Sequence, residues 1–297
     1  MRFTRHQGTT NRDLWYIVTA SVSWGTVGIA TRTIYAHTTT NALSLAFFRL
    51  GFAAPLFLLA SILLLGRRFW HIKLTDLALM LCMGGMQALY QASYNGAILY
   101  TGVTISTLIA LCVAPIIVAL VSTFITHERL TPLTLIALIC ALTGTMLLVL
   151  ARSQPGQQTI SLLGIALALL AAGGYATFIL CGRQLATRYH SLHVNTIAFT
   201  TGAFLLLLFA IPTRLVATYP AWEWFILLYL GAVPTTLAYW LFQQGMRSLS
   251  ATVVSIVTLC EPLTAALLAW LLFHEQLNLF GLLGAGLLLG AMLLLAF

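Results

Sequence analysis

The sequence predicts an all-α integral membrane protein, built as ten transmembrane helices in two inverted five-helix repeats with N- and C-termini cytoplasmic. Three observations predict it. Of the 297 residues 60% are apolar and 7% charged, with a mean hydropathy of +0.98, where a soluble domain would carry roughly a quarter charged residues. The apolar residues gather in blocks of about 20, the length that crosses a hydrocarbon core as helix. They lack the strict alternation of a barrel strand, and lipid offers a backbone amide no partner outside its own helix. Third, phrases of the first half return in register in the second.

The blocks follow in order. Residues 1–13 read as a cytoplasmic tail. The first block, 14–35, starts after Asp13, is as long as the others and lacks the short basic form of a cleavable leader, so it is expected to be a retained span. Blocks 42–65, 75–94 and 97–122 come next with short connections, and Thr131-Pro132 supplies an N-cap and first-turn proline for 132–150. These spans, within 14–150, form the first repeat. The polar stretch SQPGQQT (153–159), inside a linker at 151–160, separates the halves. The second repeat, 161–297, holds blocks 161–182, 192–211, 222–242, 250–273 and 278–297, the last capped by Asn278.

Charge fixes direction. With the N-terminus inside, the cytoplasmic segments hold Arg2, Arg5, Arg12, Arg67, Arg68, Lys73, Arg129, Arg183, Arg188 and Arg247, against Arg32, Arg152 and Arg214 outside. The net charge of +8 is scattered singly or in pairs between apolar blocks, so it reads as a topology signal and not as a nucleic-acid surface. Cys82, Cys112, Cys140, Cys181 and Cys260 fall inside spans without CxxC spacing, as small packing side chains do.

The halves match closely. Ala114-Pro115 corresponds to Glu261-Pro262, and His127-Glu128-Arg129-Leu130 to His274-Glu275-Gln276-Leu277, both 147 residues apart; Gly51 and Gly202, like Arg32 and Arg183, lie 151 apart. Shared Leu/Ala/Gly composition does not explain prolines and His-Glu pairs in register. Five spans is an odd number, so the second copy crosses in the opposite sense, the plan of alternating-access carriers whose site lies near the midplane.

In SWGTVGIATR (23–32), FFRLGFAAP (47–55), the paired phrases at 115–130 and 262–277 and the glycine-rich GLLGAGLLLGAML (281–293), the chain resembles the drug/metabolite transporter superfamily, specifically its ten-helix EamA group. The resemblance covers essentially the whole chain. It implies a secondary carrier of the cell inner membrane, commonly an exporter of amino acids or other small metabolites. It also implies a central cavity lined by the first four helices of each repeat.

Glu261 lies about 11 residues into its span, hence about 16 Å deep, where an ionisable group is costly and usually faces water or a partner. Ser255, Thr258, Glu261 and Thr264 place a polar stripe on the same helix, and Pro262, which has no N–H, frees the Thr258 carbonyl. Three roles fit Glu261: binding a substrate amine or cation, exchanging a proton as coupling ion, or a structural hydrogen bond across helices.

In the third span Gln87, Gln91 and Asn95 recur every four residues beside Tyr90 and Tyr94; in the eighth Thr235, Tyr239 and Gln243 do the same. Amides and rings on one face suit a small organic substrate, the alternative for the tyrosines being interfacial anchoring. Trp24 and Tyr175 occupy matched mid-span places beside glycine, and either line the cavity or fill space. Arg49, with Thr200 as its counterpart, is a second coupling or substrate-carboxylate candidate or a structural charge; the His-Glu pairs read as structural latches at span ends.

One deep arginine disfavours phosphorylated metabolites, a carrier for which is kept as an alternative. A lone carboxylate, a lone arginine and aromatic-amide faces suit neutral or aromatic amino acids, amines and related compounds. No GxSxG, HExxH or phosphate-loop motif is present, so an enzyme or ATP-driven pump is not expected; a non-transporting receptor or structural protein is the other class. The expected partners are a small-molecule substrate, the lipid bilayer and protons for coupling. No cofactor, metal or nucleic acid is expected, and the assembly is a monomer or weak homodimer.

Overall fold

The computed structural model describes residues 7–66, 69, 71–125, 130–151, 161–273 and 278–296. Both His-Glu pairs and most of the linker lie outside the described residues. The described residues form α1 (Gln7–Gly25), α2 (Val27–His37), α3 (Ala42–Leu65), α4 (Leu74–Ile125), α5 (Pro132–Leu150) and, past the linker, α6 (Leu162–Ala186) and α7 (Ser191–Ala210). There follow α8 (Ala221–Gly231), a π-helical turn (Ala232–Leu237), α9 (Ala238–Gly245), α10 (Ala251–Val257), α11 (Cys260–Phe273) and α12 (Leu279–Ala296), with no strand among them. Seven helical stretches are long and apolar enough to cross a membrane, and Leu279–Leu295 is a shorter eighth. Their outward faces are rows of exposed leucine, isoleucine and phenylalanine, such as Leu63, Leu64, Phe124 and Phe225, which only lipid tolerates on this scale.

The caps sit where the sequence put them. Thr131 Oγ1 accepts from Thr134 N at 3.1 Å, and Asn278 Oδ1 from Gly281 N at 2.9 Å. Two boundaries differ. α1 starts at Gln7, inside the segment predicted as a tail, and the third block runs past Asn95-Gly96 to Gly102, whose φ of 75° and ψ of 170° break α4. Asn-Gly reads as a turn, but a Cβ on Gly96 would lie 3.2 Å from Leu167 Cδ1, so this glycine serves a close helix approach. At Gly102 the chain folds back: Tyr94 Oη and Thr107 Oγ1, 13 residues apart, are bonded at 2.7 Å, whereas a straight helix would part them by about 20 Å.

The halves interlock by matched contacts. α3 packs along α7 and α5 along α12, while α4 packs on α6 as α1 packs on α9. A Cβ on Gly84 of α4 would stand 2.4 Å from the Ala198 carbonyl oxygen of α7. On Gly231 of α8, 147 residues later, it would stand 2.5 Å from Phe52 Cβ and 3.3 Å from the Arg49 carbonyl oxygen of α3. The second contact is the first with the halves exchanged. Gly144 and Gly284 likewise face each other, each Cβ position within 2.7 Å of the other's carbonyl oxygen, letting α5 and α12 touch backbone to backbone.

Candidate functional site

Two broken helices meet at the centre. Pro262 has no N–H for the Thr258 carbonyl, which takes Glu261 N at 3.0 Å instead, and Leu259 N bonds one residue short, to Ile256 O at 3.1 Å. The hydroxyls of Ser255 and Thr258 bond back three residues, to Thr252 O and Ser255 O, both at 2.8 Å. Such back-bonding loosens the ladder just where proline interrupts it, so α10 ends at Val257 and α11 begins at Cys260. The α1–α2 break is similar: Thr26 Oγ1 bonds Ser23 O at 2.7 Å and pairs with the Tyr229 hydroxyl at 2.8 Å. A Cβ on Gly25 would lie 3.0 Å from the Glu261 carbonyl oxygen, so glycine is what allows the two breaks to touch.

A cavity of about 400 Å³ opens from this crossing. Trp24, Glu261 and Pro262 line it together with Thr104 and Thr107, just beyond Gly102, and Val149 of α5. Its volume suits a small metabolite. Of the predicted residues, Trp24 and Glu261 line it. Trp24 Nε1 is a buried donor without a hydrogen-bond partner, and Glu261 brings the cavity its carboxylate.

The remaining candidates lie outside the cavity lining. Tyr90 stacks on Tyr94 at 5.9 Å and faces Tyr175 at 5.3 Å, and all three lie within the field of Glu261. Tyr94 reaches the cavity wall through Thr107. Gln91 is buried and Asn95 half-buried on the same helix. Beyond Trp24 lies a closed aromatic layer, with Tyr239 4.8 Å from Trp24, 4.7 Å from Phe199 and 5.6 Å from Phe178. Gln87 Nε2 donates to Tyr239 Oη at 3.1 Å. Gln243 does not join the cavity: its Nε2 is held by Gly182 O at 2.7 Å, tying α9 to α6.

Arg49 is fastened by Nε to Thr235 Oγ1 at 2.9 Å. The π-helical turn explains how. Pro234 interrupts the ladder, Thr235 donates to Leu230 O five residues back at 2.7 Å, and its oxygen is left facing α3. Arg49 and Glu261 act on each other through space but form no ion pair among the described residues. Sequence reading missed Thr104, Thr107 and Asn195, whose Nδ2 donates to the Tyr239 carbonyl at 3.0 Å; single threonines in apolar runs carry no periodic signal.

One family model, the EamA-like transporter family, matches the chain twice, over residues 12–150 and 162–297. An uncharacterized transporter of Bacillus subtilis, YwfM, is 28% identical over 95% of this chain and 92% of its own. An uncharacterized transporter of Archaeoglobus fulgidus is 29% identical over 94% of both. The uncharacterized inner membrane transporter YicL of Salmonella typhimurium is 26% identical over 97% of this chain and 96% of its own. A solved crystal structure at 19% identity shares the fold, with a TM-score of 0.82 over 95% of this chain and 96% of that one. Matched across both halves and full-length against relatives named as transporters, the chain is a membrane transporter of the EamA-like family.

Proposed function

We propose that the protein is a secondary exporter of the inner membrane that moves small zwitterionic or amine metabolites, neutral and aromatic amino acids among them, by alternating access. The observation that carries this reading is the cavity at the crossing of two broken helices, lined by the Glu261 carboxylate and by Trp24, whose indole donor is buried without a partner. A substrate amine meets the Glu261 carboxylate, an apolar or aromatic part lies against Trp24, Val103 and Leu111, with Tyr94 behind the wall at Thr107, and Arg49 is the second charge, for a substrate carboxylate.

Ten spans in two inverted repeats fit the double family match and the exchanged glycine contacts of Gly84 and Gly231. With the N-terminus inside, as the arginine distribution favours, Gly102 and Val149 belong to the outer half. The cavity then lies in the outer half, with the layer around Tyr239 in the inner half. Alternation requires that layer to part. Glu261 is also the group through which proton coupling would run.

Purified protein in proteoliposomes, offered a panel of labelled neutral amino acids, aromatic amino acids, amines and sugar phosphates, tests the reading. Movement of amines or zwitterions, reduced by Glu261→Gln, is expected. A folded protein that moves nothing on the panel returns the receptor class, and selective movement of sugar phosphates overturns the substrate assignment.

A further inference from the structure

Two carboxylates outside the cavity are related by the same repeat. Asp76 is the third residue of α4 and Glu223 the third residue of α8, and they stand 147 positions apart. A first-turn acid ordinarily serves its own helix start from the surface. These two are buried instead, Asp76 at 3% and Glu223 at 0% exposure, and both reach the other half of the chain.

Asp76 accepts from Arg188 Nη1 at 2.8 Å and from the Tyr189 hydroxyl at 2.9 Å, in the segment joining α6 to α7. The Tyr189 oxygen also accepts from Lys73 N at 3.2 Å, closing a small network. Glu223 Oε2 accepts from the Thr38 hydroxyl, in the segment joining α2 to α3. Tyr189 and Thr38 are 151 positions apart, the offset that relates the first two spans of each half. Donor and acceptor of one contact are therefore both the repeat counterparts of donor and acceptor in the other. Inverted repeats place such counterparts at opposite membrane faces.

The two contacts are unequal. Both carboxylate oxygens of Asp76 are engaged, one by a guanidinium, whereas Glu223 has one hydroxyl donor and its Oε1 is buried without a partner. The stronger contact lies on the side of the aromatic layer and the weaker on the side towards which the cavity runs. We propose that Asp76 and Glu223 are the paired gate latches of the carrier. Asp76 holds the inner side shut through Arg188 and Tyr189; Glu223 holds the outer side through Thr38; opening one gate means releasing its latch. They are positioning residues, acting on the access equilibrium and not on the substrate.

The inference rests on the alternating-access reading. It is tested by paired spin labels on full-length protein in lipid nanodiscs without substrate, one pair across the start of α4 and the α6–α7 segment, the other across the start of α8 and the α2–α3 segment. Asp76→Asn should raise the ratio of inner-open to inner-closed distances about tenfold, the scale of one lost charge-assisted hydrogen bond. Glu223→Gln should shift the outer pair towards open, and Asp76→Glu should restore the inner pair in part. Tyr189→Phe and Thr38→Val each remove a single donor, and should give the same signs at smaller amplitude where a carboxylate variant does not fold. Shifts of the same sign at both gates, or no shift in variants that fold and melt as the parent does, overturn the latches. Opposite shifts in a protein that moves nothing on the metabolite panel sustain the latches while the transport reading fails.

Discussion

The crossing of α1 with α11 and its repeat counterpart, the crossing of α6 with the second part of α4, are built from aligned residues and differ in the ways that matter. Glu261-Pro262 stands opposite Ala114-Pro115, and Trp24 opposite Tyr175. At the first crossing both helices are broken; at the second α6 runs unbroken from Leu162 to Ala186, and α4 continues through Pro115. Proline alone therefore does not make the break. In α10 the positions before Pro262 are Thr252, Ser255 and Thr258, with two hydroxyls bonded back to the backbone. Their counterparts 147 residues earlier are Ile105, Leu108 and Leu111, which cannot compete for carbonyls. The duplication supplies two frames, and hydroxyls plus one carboxylate turn only one of them into a polar opening.

The largest expected effect tests that asymmetry. Glu261→Gln should lower the initial transport rate at least about tenfold, since a contact to a charged group is worth about 1.5–3 kcal/mol. Adding Ala114→Glu should not restore it, because its helix continues through Pro115 and carries Leu108 and Leu111 where the other copy has Ser255 and Thr258. Rates in proteoliposomes for a substrate found on the panel decide the matter, and recovery in the double variant would make the two crossings equivalent.

The next effect probes what the halves share. Gly84→Ala and Gly231→Ala each drive a methyl against a facing helix, at 2.4 Å from a carbonyl oxygen and 2.5 Å from Phe52 Cβ respectively. Overpacking of this kind costs about 1–3 kcal/mol, and both variants should melt earlier in detergent by similar amounts. Gly173→Ala, where a Cβ meets nothing within 4 Å, should stay within about 0.5 kcal/mol of the parent. A Gly231 variant as stable as the Gly173 one would break the correspondence between the two contacts.

How much of this was legible depends on whether the cause is local. The break before Pro262 and the caps at Thr131 and Asn278 were readable, because each depends on residues within one turn. The doubled phrases were readable because the offset between the copies changes by only four residues along the chain, from 151 to 147. Asp76 and Glu223 were not, since a lone acid at a span end looks like ordinary surface, and its partners lie 112 or more positions away. The hold on Arg49 was hidden for a related reason: it needs the π-helical turn at Pro234 to bring Thr235 round, and nothing in the spacing of Thr235, Tyr239 and Gln243 announces that turn. Gln243 kept the polar periodicity of its neighbours yet spends its amide on Gly182, since periodicity specifies a face and not what lies against it.

The smallest effect concerns the caps of α3 and α7, the second helix of each half. Asn41 Oδ1 accepts from Ser44 N at 2.7 Å and cannot titrate. His190 Nδ1 accepts from Leu192 N at 3.3 Å, which requires that nitrogen to be unprotonated. His190 lies outside the spans, and partial burial, then the Arg247 charge and His193, hold its pKa below the usual 6.5. The unfolded chain therefore binds the proton more readily than the folded one. The cap's contribution is complete above about pH 6.5 and is lost as pH falls through that value towards the lower folded one. Thermal unfolding in detergent between pH 8 and pH 5.5 should show a loss below about 1 kcal/mol, the usual worth of a cap, because the ring is only half-buried and solvent screens Arg247. His190→Asn makes the two caps alike, so it should remove this part of the pH dependence while leaving stability at pH 8 nearly unchanged; an undiminished slope would assign the acid sensitivity to another group.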